Sequence, residues 1–84
     1  MVPTNPLPHS RSTALITGAS RGLGAALAGE LAQRGWHLIL DARTASDLDH
    51  LATQLSASTT VEAIAGDVAD PAHRQQLREA AAAS

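Results

Sequence analysis

Thr17-Gly18-Ala19-Ser20-Arg21-Gly22-Leu23-Gly24 follows the apolar run Ala14-Leu15-Ile16 and leads into a segment rich in Ala and Leu. The order is strand, tight turn, helix, and the glycines fall where a dinucleotide-binding loop needs them. Gly18 permits a sharp turn off the strand, Gly22 lets the backbone approach a pyrophosphate, and Gly24 lets the following helix pack close to the strand. The first N–H groups of such a helix have no partner inside it, and with the positive end of the helix dipole they form a site for a phosphate anion. A Walker-type loop is excluded, because no Gly-Lys-Ser/Thr follows.

Outward from this loop the chain alternates strand and helix signals. Residues 12–17 form the first expected strand, a short apolar run of the kind buried on both faces of a parallel sheet. The next helix is expected over 23–34, with Leu23, Leu27 and Leu31 on one stripe and Glu30 four residues before Arg34. Gly35 supplies its stop. Residues 37–41 continue as a second strand through Leu38, Ile39 and Leu40, and a helix over about 46–56 carries Leu48, Leu51, Ala52 and Leu55 at helical spacing. Ser46, Asp47 and Asp49 give that helix an acidic, capping-prone start. A third strand is expected over 61–65, and Asp70 before Pro71 is an N-cap and first-turn pair for a last helix that continues to Ser84. The pattern is βαβαβα, an α/β fold with a parallel sheet in strand order 3-2-1 and right-handed crossovers. It is the first half of a Rossmann-type doubly wound sheet, truncated at one mononucleotide-binding unit.

Composition narrows the function classes. The 84 residues contain no cysteine, which excludes a disulfide framework and thiolate metal sites, and the four histidines share no ligand spacing, so no metal is expected. Apolar content is 44% with no Phe, no Tyr and one Trp, so the core is to be built from Ala, Leu, Ile and Val in close helix-on-sheet packing. The net charge of −2 offers no basic footprint for nucleic acid, and no apolar run approaches the roughly 20 residues of a membrane span. Residues 1–11, with Pro3, Pro6 and Pro8, read as a flexible tail, leaving 12–84 as a partial dinucleotide-binding domain. No secretory signal is expected in that tail, and a cytoplasmic location follows by default.

Thr17, Gly18, Gly22 and Gly24 reproduce the Thr-Gly-x-x-x-Gly-x-Gly spacing of the classical short-chain dehydrogenase/reductase family, and Asp67-Val68 after the third strand reproduces a second signature of that family. The chain resembles the N-terminal, cofactor-binding part of such an enzyme from Ser12 onward. The resemblance implies cofactor contacts at Gly18, Ser20, Arg21, Gly22, Leu23, Gly24, Arg43, Asp67 and Val68, with the Asp67 carboxylate at the adenine amino group. The family's Asn-Ala-Gly motif, catalytic Ser and Tyr-x-x-x-Lys pair have no counterpart, since this sequence has no Tyr and all six of its basic residues are Arg. No catalytic residue is therefore assigned in this chain, which alone is expected to be inactive. The complete enzyme implied is an oxidoreductase that transfers hydride between a nicotinamide cofactor and an alcohol or carbonyl substrate, as a homo-oligomer. A non-catalytic NADP(H)-binding or sensing module is the alternative.

Cofactor choice turns on Arg21 and Arg43. In the family, basic residues at these places lie by the adenosine ribose and receive the 2′-phosphate of NADP, whereas an acid at the end of the second strand holds the free 2′-hydroxyl of NAD. By family spacing the acidic position falls on Ala42, with Asp41 one residue early. Successive strand residues face opposite ways, so Asp41 turns from the ribose if Ala42 faces it, and a one-residue register shift reverses the outcome. NADP(H) is expected, with NAD(H) as the alternative. A half-built sheet also leaves one face largely bare and the first strand with an unpaired edge, so the isolated chain is not expected to be a well-ordered monomer.

Overall fold

The structure, a computed structural model, describes residues 12–83; the tail expected over 1–11 lies outside them. Its elements are β1 (Thr13–Thr17), α1 (Gly22–Gln33), β2 (His37–Ala42), α2 (Ala45–Leu55), β3 (Val61–Ala65) and α3 (Pro71–Ala83). The three strands are parallel, as the alternation of elements leads one to expect, and lie in the order β1-β2-β3, the expected 3-2-1. Leu15 pairs with Ile39 and Thr17 with Asp41, while Asp41 pairs on its other side with Ile64.

Of the three apolar runs that of β2 is buried on both faces, because helices cover both; β1, expected to be so, keeps Leu15 and Thr17 exposed, since α3 does not cover its edge of the second face. Ile16, Leu38, Leu40 and Ala42 meet Ala28 and Ala32 of α1 and Leu48 of α2 on one face. On the other, Ile39 packs with Leu77 and Ala80 of α3. Two helices on one face and one on the other leave the second face thinly covered, and Leu15, beside Ile39 in register, remains exposed.

The α1 packing corrects the expected stripe. Leu23 is 87% exposed and Leu27 is also exposed, while the residues buried are Ala28 and Ala32. Gly24, Ala28 and Ala32 are spaced four apart, so one row of small side chains faces the sheet and the helix axis approaches closely. The leucines at 23 and 27 lie on an adjacent row and are carried past the sheet; only Leu31 packs partly on the core.

Helix ends follow local chemistry. Gly35, at φ +81°, closes α1: its N–H donates to Ala32 O at 3.0 Å and Trp36 N–H donates to Leu31 O at 3.1 Å, a Schellman arrangement with both Trp36 and Leu31 packed on the core. Asp70 caps α3 as expected, its Oδ1 accepting Ala72 N–H at 3.0 Å. The expected start of α2 at Ser46 is corrected to Ala45, with Thr44 as an N-cap whose side chain makes no capping bond. The chain leaves β2 in extended geometry through Thr44, and Asp47 lies in the first turn, where its charge suits the dipole. No helix among the described residues is long and apolar enough to cross a membrane.

Candidate functional site: the C-terminal edge of the parallel sheet

All three parallel strands end at one edge of the sheet, the edge where open α/β sheets bind ligands, and each is followed there by a loop. The first loop is fixed by its glycines. Gly18 and Gly22 sit at φ +63° and +62°, left-handed backbone that disfavours any side chain, and a Cβ on either would meet nothing within 4 Å. Gly24 is the opposite case. A Cβ there would stand 2.6 Å from the Gly18 carbonyl oxygen, so only glycine lets α1 lean on the end of β1.

The N-terminus of α1 has unusual chemistry for a helix start. Its N-cap is Arg21, extended at φ −155° and ψ 170°, with no side-chain cap bond, and no acid lies in the first turn. The leading N–H groups and the dipole therefore keep their attraction for an external anion. Ala19, fully buried, donates its N–H to Asp41 O at 2.9 Å and so ties the loop to the end of β2.

The remaining site residues expected from sequence lie at the same edge. Ser20 is half-buried, and Arg21 projects into solvent with Nη2 3.8 Å from Asp47 Oδ2. Such an exposed pair is weak, worth about 0.2–1 kcal/mol, and yields readily to a stronger anion. Arg43 directly follows β2 and is exposed. After β3, Gly66 N–H donates to Ala42 O at 3.0 Å, and the loop folds into a turn held by Asp70 N–H on Asp67 O at 2.9 Å. Asp67 Oδ1 accepts Ala69 N–H at 2.9 Å, while the Val68 carbonyl accepts from Arg74 Nη1 at 2.7 Å. Asp67 thus spends one oxygen on its own turn and keeps the other.

Two features were not visible in the sequence. Asp41, expected as an open alternative for the ribose, is 2% exposed and hydrogen-bonded through Oδ1 to His73 Nε2 from α3. Alternation places its side chain on the α3 face with Ile39, while Ala42 lies on the α1–α2 face with Leu38 and Leu40. The signal available was an acid closing an otherwise apolar buried strand, which demands a polar partner. The other is Asp47, read only as a helix-start acid, which faces Arg21.

Comparison with known proteins agrees with this architecture. A 65-residue stretch is 43% identical to an uncharacterised oxidoreductase of Mycobacterium tuberculosis, covering 76% of this chain and 25% of that protein. The chain is 50% identical over 56 residues to the NADPH-dependent pterin aldehyde reductase of Arabidopsis thaliana, covering 67% of this chain and 23% of the relative. It thus spans about a quarter of the length of these two relatives. Among solved structures, L-sorbose reductase from Gluconobacter frateurii, complexed with NADPH and L-sorbose, superposes with a TM-score of 0.81 at 35% identity over 89% of this chain and 29% of that one. A short-chain dehydrogenase from Sphingobium yanoikuyae in complex with NADPH gives 0.71 at 45% identity, over 77% and 26%. The family model described as short chain dehydrogenase matches residues 12–84, and the chain belongs to that family as a portion of its N-terminal part.

Proposed function

We propose that this chain is the cofactor-binding portion of an NADP(H)-dependent short-chain oxidoreductase acting on an alcohol or carbonyl substrate, with residues 12–84 as a partial dinucleotide-binding domain. The observation that carries the cofactor choice is the burial of Asp41 against His73. That carboxylate is engaged on the far face of the sheet, and the cations beside the ends of β1 and β2 are Arg21, weakly paired with Asp47, and Arg43, which suit a 2′-phosphate and not a free hydroxyl. Residues present fit the cofactor: an uncapped helix N-terminus, open space at Gly22 and two arginines at one sheet edge.

In this reading the backbone of residues 18–24 holds the pyrophosphate, with Ser20 and Leu23 in the same loop. Arg21 and Arg43 receive the 2′-phosphate, Arg21 leaving Asp47 to do so, and Asp67 with Val68 borders the adenine. Nicotinamide, when bound, gives or takes the hydride. The chain's own residues bind and orient; a proton donor at the substrate oxygen is not assigned within it, because the family's Tyr and Lys are residue types this sequence lacks.

NADPH and NADH fluorescence titrations of the full-length protein test the reading. NADPH is expected to bind about 10- to 100-fold more tightly, the worth of one or two charge-assisted contacts. Equal affinities or a preference for NADH would contradict it. The 84-residue chain, offered NADPH and a panel of carbonyl compounds, is expected to show no oxidation; turnover would contradict the absence of a proton donor. Binding without turnover in the full-length protein would favour a non-catalytic sensing module.

A further inference from the structure

Asp41 and His73 are the two buried polar side chains among the described residues, at 2% and 3% exposure. Burying such groups is costly unless each satisfies the other. Their bond joins the end of β2 to the first turns of α3, 32 residues apart in sequence. Gly66 makes room for it: a Cβ there would lie 2.4 Å from His73 Nδ1, so the imidazole occupies the space a side chain would fill.

The location of this pair is what gives it consequence. The Asp41 carbonyl accepts Ala19 N–H from the glycine loop, and the next carbonyl, that of Ala42, accepts Gly66 N–H from the loop after β3. Arg43 comes next in the chain. Both loops therefore hang from the stretch of backbone whose side chain His73 grips from the opposite face. A directional hydrogen bond fixes the end of β2 and the rotation of α3 together, whereas apolar packing alone tolerates sliding.

We infer that Asp41 and His73 are a positioning pair: without touching the dinucleotide, they set the spacing between the glycine loop, Arg43 and the Asp67–Val68 turn on which its binding depends. The inference rests on the cofactor-binding reading of those loops.

In the full-length protein, the variants D41N, D41L and the double variant D41L/H73L separate positioning from packing. Leu at 41 would join Ile39, Ile64 and Leu77 on the α3 face, and replacing both partners by apolar residues leaves no buried charge alone. The double variant is expected to melt at or above the wild-type temperature yet to bind NADPH and NADH about tenfold more weakly, with KM for cofactor raised and kcat unchanged. D41N keeps an oxygen acceptor for His73 and is expected to stay within about threefold of wild type. Wild-type affinity for both cofactors in the double variant would overturn the proposal, because packing alone would then suffice; so would a D41N as weak as D41L. R43A run in parallel keeps the failures apart. If R43A leaves the NADPH-to-NADH ratio unchanged while the double variant weakens both, Arg43 is removed from the 2′-phosphate and the positioning pair stands. Absence of binding by the wild type would remove the reading on which the pair depends, and the proposal with it.

Discussion

Gly24→Ala is expected to weaken NADPH binding by about 10- to 100-fold, because overpacking of about 1–3 kcal/mol falls on the loop that binds it, and to lower stability by a similar amount. The added methyl would stand 2.6 Å from the Gly18 carbonyl oxygen and 3.2 Å from Ala19 Cα, and both are backbone atoms that no rotamer change moves aside. Ala19 is fully buried and its N–H is committed to Asp41 O, so the loop relieves the collision only by breaking its tie to β2. The helix would otherwise have to withdraw and unseat Ala28 and Ala32 from the sheet. Gly22→Val reaches the same functional end differently, by forcing a β-branched residue into φ +62° at the first residue of α1. Urea unfolding and an NADPH titration of the Gly24 variant check both effects, and retention of wild-type affinity would remove the glycine loop from the cofactor site.

Arg43→Ala is expected to weaken NADPH by about one to two powers of ten while leaving NADH within about twofold, since a hydrogen bond to a charged group contributes roughly 1.5–3 kcal/mol. Arg43 is exposed at the end of β2, so its removal opens no cavity and the loss falls on the cofactor alone. The difference should shrink as salt is raised, because an exposed cation acting on a phosphate is screened. Parallel titrations of the two cofactors at low and high salt measure it, and an unchanged ratio would remove Arg43 from the 2′-phosphate.

The fold was legible because each strand and helix carries its own local signal. Apolar runs such as Leu38-Ile39-Leu40 mark strands buried on both faces, and Gly35 and Asp70 mark helix ends, so boundaries are displaced by a residue at most. The face of α1 was not legible, because large side chains dominate a sequence pattern while the contact is decided by small ones: Gly24 must lie against Gly18, and that choice turns Leu23 and Leu27 outward. The glycine loop could be read from spacing, whereas the ribose question could not. Whether Asp41 or Ala42 faced the cofactor edge depended on a partner 32 residues away, and no local rule connects an acid in β2 with a histidine in α3.

A crystal structure of the full-length protein with bound NADPH tests the central claim most directly. The pyrophosphate is expected on the amides at the N-terminus of α1, the 2′-phosphate between Arg21 and Arg43, and Asp41 still on His73 beneath them. A ribose held by Asp41, or a dinucleotide bound away from residues 18–24, would contradict the account.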